Sequence, residues 1–515
     1  MQDKLLGANH CTSCPCDSSP STPNPIYLGT ANKFLQEIDY IGTGPFPLQL
    51  TRAYNSQQEG GGGWRWSYGG RIDSTGIVYR PDGKVITFTL TNGTWLADKD
   101  ITDTLVQLAN ASGWKYTTGE GVVETYNANG ARTSFTNRAG LTQTYTYSTG
   151  SDGNVILDAN GNLTTTALPA GYPIRITDAA GRAINIAWGY DSTNTIIRLT
   201  KLTDPANGIY LWGYDTINLT SITYPDGSIR QYSYNEQTLT GNANLPHALT
   251  GITEKANSAD PGTRFASYWY DSQGRAYKEE HAPSLNQGID NYQLTYNTDP
   301  ATGNPTSTVV TDPLKTAYTY NFTTVLGVAK STGTDQLGGS GCSAASSALT
   351  YDANGNVSSR TDFNQHKTCY AYDTLGRNLE TARVEGLAST ADCATALTAT
   401  SYSGEIRKTS TSWHTTWRLA TKITEPGRET SITYDPASGN VLTQEIKDTA
   451  SSKTRTWTYS YTTSADNTLV NLLKSVDGPR TDVNDITRYT YYTADDTTTT
   501  PPKYRRGDLN TLSNA

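Results

Sequence analysis

The feature that most constrains this chain is a short turn motif that recurs along most of its length. Residues 270–275 read Tyr-Asp-Ser-Gln-Gly-Arg, residues 372–377 read Tyr-Asp-Thr-Leu-Gly-Arg, and residues 351–356 read Tyr-Asp-Ala-Asn-Gly-Asn. Asp caps a turn through the local backbone, and Gly supplies the positive φ angle that such turns need. Each copy therefore predicts a β-hairpin whose first strand ends at the Tyr.

The repeated positions of this motif are the candidate structural residues of the chain. We expect the Tyr ring to pack inward while its hydroxyl reaches a polar partner. We expect the Asp to cap the turn and the Arg or Asn to open the returning strand. The residues given these roles are Tyr190, Asp191, Tyr270, Asp271, Gly274, Arg275, Tyr351, Asp352, Gly355, Tyr372, Asp373, Gly376, Arg377, Tyr434 and Asp435.

The spacing of the motif predicts an array. Successive copies lie roughly 20 to 36 residues apart, within the range typical of repeat proteins. One hairpin cannot bury its apolar face alone, so neighbouring hairpins must stack. The prediction is an all-β fold, in which one antiparallel strip grows hairpin by hairpin.

The composition agrees with this fold and excludes several classes of protein. The chain has 34 Tyr but 7 Phe and one Met, and its formal net charge is −8. No apolar run is long enough for a transmembrane helix, and the acidic balance argues against a nucleic-acid binder. Scarcity of straight-chain helix formers argues against a helical protein. No segment predicts a helix; residues 101–111 come closest and fit a strand pair equally well.

Four segments are predicted from the changes in amino-acid composition and hydrophobic pattern along the chain. Residues 1–24 form a Cys/Ser/Pro-rich segment, and residues 25–125 form an opening β-domain with polar and apolar positions in alternation. Residues 126–500 form the repeat array, and residues 501–515 form a polar tail. No signal peptide is visible at the amino terminus.

The six cysteines fall in two groups of three. The first group is Cys11, Cys14 and Cys16, and the second is Cys342, Cys369 and Cys393. A Cys-x2-Cys pair suits zinc, but a structural site would need a second pair at a distance, so we predict no metal. Disulfides are plausible in an oxidising compartment. Either each group keeps one free thiol or one bridge links the two groups; the sequence leaves this open.

No pattern indicates catalysis. The five histidines stand at no spacing that pairs a base with a nucleophile, and residues 60–63 are a Gly run without the Lys-Ser/Thr of a phosphate loop. The Asp/Asn turns supply too few ligands to hold calcium. We therefore predict a protein that is not an enzyme, with no catalytic residues and no cofactor.

The tryptophans allow two interpretations. Trp64, Trp66, Trp413 and Trp417, together with the many Tyr, could form sugar-stacking platforms on the sheet surface. Alternatively they line the inner face of a curled sheet, which is the interpretation that we favour.

The motif resembles the tyrosine-aspartate (YD) repeats of the Rhs family, which includes bacterial toxin-complex shells and animal teneurins. The opening segment also resembles the start of bacterial Rhs cores, at residues 32–33, 39–40, 44–48 and 51–56. The resemblance covers residues 24–500. It implies a β-sheet strip that spirals into a hollow cage, which in bacterial Rhs proteins encloses a toxin.

The chain departs from the family pattern in two respects. It carries no Asp- and Gly-rich self-cleavage segment, and no toxin domain follows residue 500. We expect an amino-terminal shell portion, a truncated product or a stand-alone surface protein, and closure of a full cage by this length is not expected.

The function predicted from the resemblance is containment. We predict a non-enzymatic shell that encloses or presents toxin or peptide cargo, secreted or at the cell surface, in a polymorphic toxin system. The alternative is an extracellular adhesion or assembly module that binds surface glycans or self-associates into homo-oligomers through exposed strand edges. Neither nucleic acid nor a membrane span is expected in either case.

Overall fold

The computed structural model describes residues 4, 6–8, 19–191, 196–281, 289–338, 343–466, 469–496, 498–499, 503 and 505–514. These residues form forty-one β-strands and a single α-helix. The strand pairs are antiparallel apart from one isolated parallel contact, between Leu157 and Gly189. The predicted all-β fold, a strip of antiparallel hairpins, is confirmed.

Two small sheets precede the repeats. The amino-terminal sheet consists of β1 Phe34–Ile41, β2 Gln49–Asn55 and β3 Trp64–Trp66. The other small sheet consists of β4 Arg71–Ile72, β5 Ile77–Tyr79 and β6 Val85–Thr87. Alternation accounts for β2, because Leu50 is buried while Gln49 and Thr51 beside it are only half-buried.

The long sheet follows and runs in chain order from β7 to β29, except that β13 pairs with β16 around the hairpin β14–β15. Its strands are β7 Thr89–Thr91, β8 Thr94–Leu96, β9 Thr104–Gln107, β10 Gly113–Thr117, β11 Val123–Asn127, β12 Arg132–Thr136, β13 Thr142–Tyr147, β14 Val155–Leu157, β15 Leu163–Ala167, β16 Pro173–Thr177, β17 Ala183–Tyr190, β18 Ile197–Thr203, β19 Ile209–Tyr214, β20 Leu219–Thr223, β21 Ile229–Tyr234, β22 Leu249–Lys255, β23 Thr263–Tyr270, β24 Ala276–His281, β25 Ile289–Thr298, β26 Pro305–Thr311, β27 Ala317–Val325, β28 Val328–Gln336 and β29 Ala345–Ser346. The long sheet thus begins inside the segment 25–125.

A further sheet, which we call the second sheet, has twelve strands, each paired with the next in the chain. They are β30 Ala348–Tyr351, β31 Val357–Thr361, β32 His366–Tyr372, β33 Glu380–Ala388, β34 Arg407–Trp413, β35 Ala420–Glu425, β36 Arg428–Tyr434, β37 Val441–Asp448, β38 Thr454–Tyr461, β39 Leu473–Asp477, β40 Ile486–Tyr491 and β41 Leu509–Asn514.

The expectation that the chain has no helix is wrong at one place. Helix α1, Cys393–Thr398, lies in the connection between β33 and β34 and begins at Asp392, whose side chain accepts a hydrogen bond from the backbone N–H of Thr395. It packs over the buried side chains of Val384 and Leu387. A helix of six residues has no stability of its own, which explains why the sequence carried no helical period there. The region 101–111, the closest candidate for a helix, contains strand β9 and a short 3-10 turn.

The core lies between the amino-terminal sheet and the long sheet. Leu50 and Tyr54 of β2 are fully buried and share one cluster with Ile222 and Ile252 of the long sheet. The long sheet therefore curls around the amino-terminal sheet. We call the face that it turns toward this core the inner face and the opposite face the outer face.

The second sheet lies against the turns of the long sheet. The contacts advance in the same order along both: Asn378 Nδ2 donates to Lys99 O at 2.8 Å, Arg418 lies 3.9 Å from Glu120, Asn471 Nδ2 donates to Ala139 O at 2.7 Å, and Arg506 Nη1 donates to Ala180 O at 3.2 Å. The partners are 279 to 332 residues apart. Contacts that advance in this way indicate a spiralling strip, in which the second sheet lies one turn beyond the long sheet.

Candidate functional site

The repeat turns have one geometry. Asp271 directly follows β23, and its carboxylate accepts hydrogen bonds from the backbone N–H groups of Gln273 and Arg275. Gly274 has a φ angle of 77°, the left-handed conformation that its side chain-free backbone favours. Arg275 returns to the same carboxylate through Nε at 2.7 Å. The turn is thus closed by an ion pair between its first and fifth residues, which the motif did not predict.

The other copies share this geometry in part. Arg377 Nε donates to Asp373 at 2.7 Å, and the shorter Asn356 amide donates to Asp352 at 3.0 Å. Gly355 and Gly376 also have positive φ angles, and Asp435 accepts from the N–H of Ser438. Asp191 is buried and accepts from the N–H of Ile196.

One turn of the same kind escaped the sequence analysis. Asp178 and Arg182 pair through Nε at 2.9 Å, in a turn that Thr177 and not Tyr precedes. The Asp-x-x-Gly-Arg spacing alone was the signal that could have found it.

A β-bulge stands at the strand-end Tyr of most copies. In the hairpin β30–β31, Thr350 lies opposite Ser359, but Tyr351 lies opposite Val357, so one residue of β31 is left without a partner. The carbonyl oxygen of Val357 accepts a hydrogen bond at 2.8 Å from the hydroxyl of Tyr372, the strand-end Tyr of the next repeat. The Tyr of one repeat therefore caps the bulge of the repeat before it.

This hydroxyl-to-bulge contact recurs through both sheets. It joins Tyr147 to Arg132, Tyr234 to Leu219, Tyr270 to Leu249, Tyr296 to Ala276, Tyr351 to Ser331, Tyr372 to Val357, Tyr434 to Ala420, Tyr461 to Val441 and Tyr491 to Leu473, always at the backbone carbonyl. Trp188 and Trp413 replace the hydroxyl by an indole N–H, which donates to Pro173 O and Glu380 O at 2.8 Å. The aromatic residue at the strand end thus needs a polar hydrogen, which accounts for the excess of Tyr over Phe.

The amino-terminal sheet is joined to the inner face by a buried ion pair. Arg52 of β2 donates to Asp39 of β1 through Nη2 at 2.9 Å, and both side chains are buried. The same Nη2 donates to the hydroxyl of Tyr232 at 2.9 Å, and the hydroxyl of Tyr224 donates to Asp39 at 3.0 Å. The pair therefore has partners from both sheets, which offsets part of the cost of burying two charges.

Neutral hydrogen bonds complete this interface. The hydroxyl of Tyr54 donates to His247 O at 2.7 Å and accepts from the N–H of Leu249 at 2.8 Å. The hydroxyl of Thr308 donates to Leu28 O at 2.7 Å. These contacts fix the amino-terminal sheet at several strands of the long sheet at once.

A second pair of buried charges lies at the edge of the interface. Lys33 donates to the backbone carbonyl of Asn24 at 3.1 Å and lies over the ring of Tyr268, while Glu279 accepts from the N–H of Asn24 at 3.3 Å. Burial lowers the pKa of Lys33 to about 8, against the raising effect of Glu279 and Glu37. Burial likewise raises the pKa of Glu279 to about 7, against the lowering effect of Lys33. Sequence analysis missed both residues, because neither stands in a recurring motif.

The inner face of the second sheet differs from that of the long sheet. In the long sheet, residues two positions before the repeat tyrosines, such as Tyr232 and Tyr268, are buried in the core shared with the amino-terminal sheet, and repeat tyrosines such as Tyr234 are partly buried against it. The matching face of the second sheet carries side chains that are half-buried or exposed: Ile423, Ile432, Ile446, Trp457, Tyr459, Val476, Tyr489 and Leu512. Within the described ranges, none of these belongs to a hydrophobic core cluster.

Beyond the apolar cluster under α1, the outer face of the second sheet is mainly polar. Strand register places Thr433, Thr443 and Thr458 in one row and Ser460, Ser475 and Arg488 in another. Neighbouring hydroxyls bond to each other, as between Thr433 and Thr443 at 2.6 Å. From β35 onward, the apolar and aromatic side chains of the second sheet thus lie mainly on the inner face, interspersed with Thr430, Gln444 and Arg455, and the hydroxyl groups are concentrated on the outer face.

The cysteines and tryptophans have these positions. Cys369 and Cys393 form a disulfide that pins α1 to the outer face at β32. Cys11, Cys14, Cys16 and Cys342 lie outside the described residues. Trp64 is buried against Tyr54 and Tyr232, and Trp417 stacks on His414.

Neither a metal-ligand cluster nor a membrane-spanning helix is found in the part of the chain that the structure describes. No group of three or more His, Cys, Asp or Glu residues there could hold a metal ion. No helix there is long and apolar enough to cross a membrane. A cleft of about 900 Å³ does separate the long sheet from the second sheet, beside Trp95 and Trp417.

Comparison with known proteins gives one family match and several structural similarities. Residues 23–88 match the family described as domain of unknown function DUF6531, and no curated protein matches the chain. The chain is similar to the structure titled "Crystal Structure of TcdB2-TccC3-Cdc42", with 11% identity and a TM-score of 0.35 over 92% of this chain and 24% of that one. It is also similar to a structure of the Photorhabdus luminescens Tc holotoxin pore, with 10% identity and a TM-score of 0.34 over 91% of this chain and 24% of that one. The chain spans about a quarter of the length of these proteins.

Proposed function

We propose that this chain is a non-enzymatic wall segment of an Rhs-type YD-repeat shell, whose inner face surrounds a polypeptide cargo in a toxin system. The observation that carries the proposal is the difference between the two faces of the second sheet. Ile432, Trp457 and Tyr459 leave apolar surface on the inner face, whereas the outer face of the same strands carries mainly hydroxyl and charged groups.

Continuity with the long sheet supports this assignment. There the same face is covered by a folded piece of polypeptide, the amino-terminal sheet, through aromatic rings and hydroxyls. An apolar surface of this kind on a soluble sheet generally marks the place where another chain binds. A cargo of polypeptide would therefore take, in the second turn of the spiral, the place that the amino-terminal sheet takes in the first.

The place of action belongs to the same proposal. A toxin-system shell acts outside the cell that makes it, so the chain is expected to be secreted or held at a cell surface. The disulfide between Cys369 and Cys393 supports an oxidising environment.

Site-specific photo-crosslinking tests the inner face directly. Two variants carry the photo-reactive amino acid p-benzoylphenylalanine, one in place of Tyr459 and the other in place of Thr458. These residues are adjacent in β38 and point to opposite faces. The probe offered to both is reduced, carboxymethylated α-lactalbumin, an unfolded polypeptide. We expect crosslinks from position 459 and several-fold fewer from position 458; equal yields from both would contradict the proposal.

The alternative function, assembly through a strand edge, has one observation in its favour. Strand β41 pairs with β40, and among the described residues nothing lies on its other side; every residue from Leu509 to Asn514 is exposed. A free edge of this kind can accept a strand from a second copy. Light scattering separates the functions: polymers that dissolve when Ser513→Lys is introduced on the outer face of this edge strand would favour assembly, and monomers would favour the shell.

A further inference from the structure

The amino-terminal strap, residues 19–25, contacts two buried charged side chains: Lys33, which directly precedes β1, and Glu279 of the long sheet. The N–H of Asn24 donates to Glu279 at 3.3 Å, and its carbonyl accepts from Lys33 Nζ at 3.1 Å. Thr22 donates to the same carbonyl at 3.1 Å and also interacts with the Glu279 carboxylate. Both backbone polar groups of Asn24 are thus held, the N–H by a carboxylate and the carbonyl by an ammonium group.

The carboxylate of Glu279 is poorly compensated for a buried charge. Its Oε2 atom has no hydrogen-bond partner within the described ranges, and Lys33, its nearest cation, bonds to Asn24 and not to Glu279 itself. A buried carboxylate in this position is costly while it is ionised and much less so once it is protonated.

We infer that Glu279 and Lys33 form a pH-sensitive clamp on the amino-terminal strap, which holds the strap more tightly in mild acid than at neutral pH. The clamp is a property of the inner interface and does not depend on what the shell contains.

The sign follows from linkage. When the strap is closed, burial raises the pKa of Glu279 from 4.5 to about 7. When the strap opens and water reaches the carboxylate, the pKa returns toward its ordinary value. Closing therefore takes up a proton between pH 7 and pH 4.5, so that acidification favours the closed strap. Lys33 acts at higher pH. Burial in the closed strap lowers its pKa from 10.5 to about 8, so closing releases a proton from this group, and its titration favours the closed strap only as the pH rises above 8. The clamp is weakest between pH 7 and pH 8.

The other charged groups near the pair are few. Asp290 of β25 faces Glu279, and Glu37 of β1 faces Lys33 but is engaged with Arg230 at 3.1 Å. His281 of β24 lies near Lys33, and burial lowers its pKa, so its own effect on acidification opposes that of Glu279. A histidine signal would therefore have the opposite sign.

Hydrogen exchange measured by mass spectrometry on the whole chain tests the clamp. The reporters are the N–H groups of Ile26, bonded to Thr22 Oγ1, and Leu28, bonded to Pro20 O. After correction for the intrinsic rate, we expect their protection to rise about tenfold from pH 7.5 to pH 5.5 in the wild type. Peptides of strand β34 in the same samples are the internal control, and their corrected protection should not change with pH.

Two variants decide the outcome. Glu279→Gln mimics the protonated side chain, so its strap should be protected at both pH values without a pH slope. Glu429→Gln, a control on the outer face of the second sheet where Glu429 pairs with Lys422, should keep the wild-type slope. A slope that persists in Glu279→Gln, or protection that falls on acidification, would overturn the inference. Should Glu279→Gln fail to fold, Lys33→Met serves instead; without the ammonium group, the midpoint of the protection change should move to higher pH, and an unmoved midpoint would equally overturn it.

Discussion

The hydroxyl of Tyr372 donates a hydrogen bond to the carbonyl oxygen of Val357 across 2.8 Å, at the point where the hairpin β30–β31 is bulged. A bulge leaves one residue of the ladder unpaired, and an unpaired carbonyl beside the core is costly. The repeat tyrosine therefore does two things at once: it ends its own strand and repairs the ladder of the previous hairpin. This contact ties each repeat to its neighbour.

Replacement of Tyr372 by Phe removes only that hydrogen bond. We expect a loss of about 1 kcal/mol in the free energy that protects strand β31 from local opening. Hydrogen exchange of the amides of Val357–Thr361 measures this quantity without assuming that a chain of this size unfolds in one step.

Tyr370→Phe is the matched control for that experiment. Tyr370 lies two residues earlier on the same strand and the same face, and within the described residues its hydroxyl makes no hydrogen bond. We expect a change within about 0.5 kcal/mol. Equal effects from Tyr370→Phe and Tyr372→Phe would show that the ring, and not the hydroxyl contact, links the repeats.

The disulfide between Cys369 and Cys393 is expected to hold α1 in place. It closes a separation of 24 residues, for which the loss of chain entropy in the open state corresponds to about 3 kcal/mol. The helix is too short to persist alone. In the Cys369→Ala/Cys393→Ala variant we expect the amides of Cys393–Thr398 to exchange freely.

The rest of the second sheet serves as the reference for that measurement. Strands β36 to β38 lie away from the disulfide and should exchange as in the wild type. Unchanged protection of α1 in the double variant would mean that Val384 and Leu387 hold the helix by packing alone.

How much of this fold could be predicted depends on the range of the interaction. The turn at Asp271–Arg275 is local, so its residue types indicated the turn, although not the ion pair that closes it. The bulge at Tyr351 depends on the register of two strands, and register is not written in the motif itself. The motif therefore pointed to a tyrosine at the strand end, where the structure has Tyr351, but it could not identify the acceptor of the tyrosine hydroxyl.

The contacts of the spiral lie further beyond the reach of sequence patterns. The side chain of Asn378 donates a hydrogen bond to the carbonyl of Lys99, 279 residues away in the sequence. Neither residue stands in a local pattern that would predict this contact. The same holds for Lys33 and Glu279, which come together only because the long sheet curls around the amino-terminal sheet. Periodicity indicates which face of a strand is apolar, but not which distant segment covers that face.

The ion pair between Arg52 and Asp39 is expected to be costly to break and inexpensive to replace. Arg52→Met leaves a buried carboxylate whose remaining described partner is the hydroxyl of Tyr224, so we expect a loss of about 3–5 kcal/mol. The double variant Asp39→Asn/Arg52→Met removes both charges and should recover most of that loss. Hydrogen exchange of the amides of Gln49–Asn55 in increasing urea gives the midpoint at which the amino-terminal sheet opens, and this midpoint reports on both variants. A double variant no more stable than Arg52→Met would indicate that the hydrogen bonds of the pair, and not its charges, stabilise the interface.

Glu124 should make the fold sensitive to strong acid, with a sign opposite to that of Glu279. Burial would raise the pKa of its carboxyl, but the guanidinium groups of Arg80, at 2.9 Å, and Arg132, at 3.4 Å, outweigh this and lower the pKa to about 2. The stability that Glu124 contributes is therefore present above pH 4.5 and is lost as the pH falls toward 2; the shift corresponds to about 3 kcal/mol. Glu124→Gln should be less stable at neutral pH, because two buried arginines lose their counter-charge, and should lose less stability between pH 4.5 and pH 2 than the wild type. Exchange of the amides in Val123–Asn127 over this range measures the effect, and a parallel fall in both proteins would rule out Glu124 as its source.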